Sequence, residues 1–192
     1  MSLLQLVDAG TGARDVTISS PFAAYQVSGS DWSTAGIAFA FNGTQFSGLL
    51  LQGIVVMDPS GGNAQLLLTQ PFLSTVLRVV KQARWSPDGL RIALTQTTVS
   101  SAQIPTDDLF VVDAAGGNLV QLTQSQSGQN IDGISWSPDG HRIAFDVVNT
   151  TGSFPNQTPT SADLFAINAD GTGRVRLTTD GRSFNSAWRT IP

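Results

Sequence analysis

The pentapeptide WSPDG occupies Trp85–Gly89 and returns unchanged at Trp136–Gly140, 51 residues later. Its chemistry is that of a tight reversal. Proline presets φ for the second position of a turn, and Asp and Gly suit the positions after it. On both occasions an apolar segment follows, "RIAL" at Arg91–Leu94 and "RIAF" at Arg142–Phe145. The turn is therefore expected to reverse a strand that carries the Trp into a second, apolar strand.

The period holds along the chain. The four tryptophans, Trp32, Trp85, Trp136 and Trp188, stand 53, 51 and 52 residues apart. A second marker is an apolar run ending in a polar turn, at Asp8, Asp58, Asp113 and Asn168. A third follows each time: Val16-Thr17, Leu68-Thr69, Leu122-Thr123 and Leu177-Thr178. The unit is thus about 50–55 residues with four short strands, a to d. One such sheet cannot bury its own faces and has to stack on its neighbours, which makes each unit a propeller blade. The fold class is all-β, a β-propeller of four-stranded antiparallel blades.

The order Trp-Ser-Pro-Asp-Gly, Ile-Ala-Phe, Leu-Phe-x-x-Asp-x-x-Gly-Gly, Leu-Thr resembles the WD40-like (PD40) repeats of TolB-type β-propellers. The likeness is tightest over Trp85–Thr178. It is looser over Trp32–Thr69, where Thr34-Ala35 replace Pro-Asp. It implies a scaffold and no catalytic site, because its repeated residues belong to turns and core.

The strands expected add up to about 3.75 blades: part of one over 1–19, then 20–70, 71–124 and 125–179, with 180–192 as an innermost closing strand. Rings of the TolB type resemble six-bladed wheels, which at this period need roughly 300 residues. Three outcomes are open: a fragment, a homodimer that completes the ring, or a small four-bladed ring.

Composition excludes several function classes. The formal charge is −4 and every acidic residue is Asp. Nucleic acids and anionic membranes call for basic patches, so neither is an expected partner. No apolar run is long enough to insert into a membrane. The chain has no cysteine and one histidine, His141, just past a surface turn. Neither a Ser-His-Asp triad with a Gly-x-Ser-x-Gly elbow nor a multi-histidine metal site can be assembled from it. Asp107 and Asp108 lack the Asp-x-Asp-x-Asp spacing of a calcium loop and are expected to be solvated. No enzyme activity, cofactor or metal is expected.

Function is sought in the connections between strands b and c, read as Asn42–Gly53, Thr95–Asp107 and Val147–Ala162. Long loops on a rigid scaffold carry binding. The loop face is expected to gather Tyr25, Phe46, Leu49, Phe72, Ile104, Asp107 and Phe154 against a protein or peptide partner. The resemblance implies an extracytoplasmic, periplasmic setting. The other reading is the gating propeller of a prolyl-oligopeptidase-like serine peptidase whose catalytic domain lies outside this chain.

Overall fold

A computed structural model describes residues 4–7, 14–18, 24–44, 50–60, 62–71, 77–99, 104–153 and 155–188. Within them lie fourteen strands and no helix. A two-stranded sheet pairs β1 (Leu4–Val7) with β2 (Arg14–Ile18). Three four-stranded antiparallel sheets follow, each in chain order. Blade 1 is β3 (Ala24–Ser33), β4 (Gly36–Thr44), β5 (Leu50–Met57) and β6 (Gln65–Pro71). Blade 2 is β7 (Leu77–Trp85), β8 (Arg91–Val99), β9 (Pro105–Asp113) and β10 (Val120–Gln121). Blade 3 is β11 (Gln129–Trp136), β12 (Arg142–Thr151), β13 (Thr158–Asn168) and β14 (Val175–Arg176). The fold is a partial β-propeller of three complete blades.

The repeated residues take repeated places. Trp32, Trp85 and Trp136 stand at or next to the end of strand a and pair with Ile37, Ile92 and Ile143. In the WSPDG turns, Ser86 Oγ donates to Asp88 Oδ1 at 2.5 Å and accepts the Arg91 N–H at 2.9 Å. Ser137 repeats this with Asp139 at 2.6 Å and with the Arg142 N–H at 2.9 Å. Gly89 and Gly140 both sit at φ 69°, left-handed backbone that a Cβ resists. The Leu-Thr marker is a clasp. Thr123 Oγ1 accepts the Leu109 N–H at 2.9 Å and donates to Asp108 at 2.9 Å. Thr178 does the same for Leu164, at 2.9 Å, and for Asp163, at 3.2 Å.

The core lies between blades. One cluster joins Ala38, Ala40 and Ile54 of blade 1 to Val80, Trp85, Ile92 and Leu94 of blade 2. A second joins Ala93, Leu109, Val111 and Leu122 to Ile131, Trp136, Ile143 and Phe145 of blade 3. Sheet faces that cannot bury themselves thus bury each other. Among the described residues no helix is long and apolar enough to cross a membrane.

Two expectations need correction. The long b–c connections are mostly strand. β8 continues to Val99 and β9 starts at Pro105, while β12 continues to Thr151 and β13 starts at Thr158. The polar residues of these segments pair across the ladder, Gln96 with Asp108 and Thr97 with Asp107. The second concerns the closing strand over 180–192. As far as Trp188, the described residues there form one bridge, Arg182 to Ala162, and otherwise no strand.

Candidate functional site

The expected loop cluster is not assembled among the described residues. Phe46, Leu49, Phe72 and Phe154 lie outside them. Tyr25 sits on β3 opposite Gly43, in strand rather than loop. Ile104 is half-buried just before β9. Asp107 reverses its expectation of solvation: it is 0 % exposed. It lies within β9 at a blade seam, where a partner cannot reach it.

That burial is satisfied by three donors. Asp107 accepts from Thr97 Oγ1 at 2.5 Å, from Lys81 Nζ at 2.7 Å and from the Ile131 N–H at 2.9 Å. Thr97 and Lys81 belong to blade 2 and Ile131 to blade 3, so the carboxylate ties two blades together. Lys81 also reaches Asp132 at 3.2 Å and the Ile131 carbonyl at 3.4 Å. Burial pulls the Lys81 pKa down. Asp107 and Asp132 outweigh it and hold the ammonium above the ordinary lysine range.

Lys81 owes its reach to a β-bulge. Each strand a slips register just before its Trp: between Val27 and Gly29, Val80 and Gln82, and Ile131 and Ile134. The extra residue turns its side chain out of the pleat and across the seam. Ser28 fills the same position in blade 1 and donates to the Val80 carbonyl at 2.8 Å. Sequence reading passed over these residues. The one available signal was that Lys81 is the sole lysine.

Asp146, on β12, is the second missed carboxylate and is also fully buried. It accepts the backbone N–H groups of Asn185 at 2.9 Å and Ser186 at 3.0 Å. The C-terminal segment is thereby held against blade 3.

Two openings remain. A groove of about 330 Å³ runs under the ends of the a strands, lined by Asp31, Trp32, Arg84, Trp85, Ser135 and Trp136 among others. Its charged groups are engaged by backbone: Asp31 accepts the Trp85 N–H at 2.8 Å, and Arg84 donates to the Ser30 carbonyl at 3.1 Å. A polar cleft of about 300 Å³ on blade 3 is lined by Gln129, Asn149, Ser161, Asp163, Arg176 and Asp180 among others. There Arg176 pairs with Asp163 at 2.6 Å. His141 is exposed, and its backbone N–H donates to Asp139 at 3.0 Å. Among the described residues no cluster of three His, Cys, Asp or Glu is placed to hold a metal. The groove offers indoles and a guanidinium group and the cleft amides and a guanidinium group, the chemistry of recognition.

Over 127 residues, 66 % of the chain, the sequence is 41 % identical to the Tol-Pal system protein TolB of Anaeromyxobacter dehalogenans. The repeats are those of a TolB-like β-propeller. The matched stretch covers 24 % of that relative, so the chain spans about a quarter of the length of the curated relatives it matches. No family model matches. Among solved structures, TolB from Acinetobacter baumannii superposes with a TM-score of 0.50 at 20 % identity, covering 95 % of this chain and 50 % of that one. The acylaminoacyl peptidase of Pyrococcus horikoshii superposes with a TM-score of 0.52 at 14 % identity, covering 81 % of this chain and 25 % of that one. At such identities these two matches speak for the β-propeller fold alone.

Proposed function

We propose that this TolB-like chain is a non-catalytic binding propeller that works with a protein partner in a Tol-Pal type system, in the periplasm. The 41 % identity to a Tol-Pal system protein over two thirds of the chain carries the reading. The groove and cleft support it: they present indole, amide and guanidinium groups on a rigid scaffold, as partner-binding surfaces do. The gating propeller of a peptidase shares the fold, but the likeness to the Pyrococcus peptidase is 14 % identity and bears on fold alone.

The test is direct binding. The chain is immobilised, and the purified Pal component of the Anaeromyxobacter dehalogenans system is passed over it. Saturable binding at micromolar concentration supports the reading. No binding, together with peptide or ester hydrolysis that His141→Ala abolishes, replaces it with an enzymatic one.

A further inference from the structure

We propose that the seam between blades 1 and 2 binds a small monovalent cation at Asn42 and Gln52. The neighbouring seam carries the template. Between blades 2 and 3 the ammonium of Lys81 lies 2.7 Å from Asp107, 3.2 Å from Asp132 and 3.4 Å from the Ile131 carbonyl oxygen. A positive charge thus sits among oxygens of both blades. Thr97, on β8, donates to the same Asp107 carboxylate at 2.5 Å.

The register places counterparts of these groups in the first seam. Thr97 pairs with Asp107 across β8 and β9, and Asn42 pairs with Gln52 across β4 and β5. Asn42 follows Ile37 by as many residues as Thr97 follows Ile92, counted from the equivalent Trp–Ile pairs. Gln52 therefore has the place of Asp107, and Asn42 that of Thr97. Ser28 has the place of Lys81 at the bulge. It donates to the Val80 carbonyl as Lys81 does to the Ile131 carbonyl.

The two seams differ in charge. Carboxylate and ammonium are replaced by amide and hydroxyl, and a serine cannot bring an ammonium of its own. Gln52 is 2 % exposed, and its Oε1 has no hydrogen-bond partner. The buried Oδ1 of Asn42, its cross-strand neighbour, has none either. Buried acceptors are ordinarily satisfied. The donors of Ser28 and Asn42 are spent on the Val80 carbonyl, at 2.8 Å from Ser28 Oγ and 3.3 Å from Asn42 Nδ2. Three oxygens are left with free lone pairs: Gln52 Oε1, Asn42 Oδ1 and Ser28 Oγ.

All three are neutral. A divalent ion calls for carboxylates, whereas potassium and ammonium accept neutral oxygens. Lys81 does not compete for the place, because its own ammonium is met by Asp107 and Asp132 in the other seam. The inference is independent of the proposed Tol-Pal role.

The experiment follows thermal unfolding of the full chain at constant ionic strength, with choline chloride replaced stepwise by potassium, ammonium or sodium chloride. Potassium or ammonium should raise the midpoint saturably, by about 2–4 °C, and the salt that acts at the lower concentration identifies the ion. Gln52→Met keeps the bulk of the side chain without its oxygen and should abolish the response. Ser28→Lys combined with Gln52→Asp rebuilds the Lys81–Asp107 pair in the first seam and should abolish it too. In chain labelled with carbon-13 at glutamine, the side-chain carbonyl resonance of Gln52, assigned by either variant, should shift over the same concentrations. Three results overturn the proposal. One is a midpoint that does not distinguish these cations from choline, which would leave the two amide oxygens to water. Another is an ion response that survives in either variant. The third is a midpoint that rises while the Gln52 resonance stays still, which would put the ion elsewhere.

Discussion

Lys81 Nζ lies 2.7 Å from Asp107 Oδ2, and the same oxygen accepts the Ile131 N–H of the next blade at 2.9 Å. One carboxylate oxygen thus closes a seam between two sheets that share no ladder. The lysine that meets it is available only because a bulge turns it sideways.

Asp107→Ala is expected to destabilise the chain by about 2–4 kcal/mol, since it strands a partly buried ammonium and a buried N–H together. Asp132→Ala removes the more exposed end of the same network and should cost under about 1 kcal/mol. Urea unfolding of the two variants checks the order. Equal costs would mean that the seam does not depend on the buried carboxylate.

The two WSPDG glycines should respond differently to alanine. Both need φ 69°, which costs a Cβ about 1 kcal/mol or more. At Gly140 the added atom meets nothing closer than Pro87 Cδ at 3.7 Å. At Gly89 it would lie 2.5 Å from the Ala35 Cβ of blade 1. Gly89→Ala should therefore cost about 1–2 kcal/mol more than Gly140→Ala by thermal unfolding.

Gly53 stands where blades 2 and 3 place Asp108 and Asp163. An added Cβ there would run into the Leu68 carbonyl oxygen. Backbone cannot yield as a flexible side chain can, so Gly53→Ala should cost about 3 kcal/mol or more. A soluble variant with an unchanged urea midpoint would refute the close approach of β5 and β6.

Stability should be flat between about pH 5 and pH 9 and fall on both sides. The Ser86 hydroxyl, then the Leu90 N–H, hold Asp88 below the ordinary carboxylate value of 3.8. The Ser137 hydroxyl and the His141 N–H do the same for Asp139. A depressed carboxylate stabilises above its unfolded pKa, and that contribution is lost as pH falls through the folded one. Lys81 lies above the ordinary 10.5, so its contribution is complete below that value and disappears as pH rises through the folded pKa. Urea midpoints across pH should show both limbs. Asp88→Asn should shrink the acid limb and Lys81→Met the alkaline one.

Sequence alone determined the repeat, the strand types and the turns, because those depend on neighbours a few residues apart. Pro and Gly fix a reversal, Asp caps it, and alternating apolar residues mark a buried face. It also determined that Trp32, Trp85 and Trp136 are equivalent. The tertiary structure decided what each equivalent position touches. Asp107 read as a solvated loop residue, since a carboxylate beside a second carboxylate ordinarily faces water; its partners lie 26 residues back and 24 ahead, on strands β7 and β11. The register slip that aims Lys81 leaves no local mark, because a bulge is set by how two strands pair.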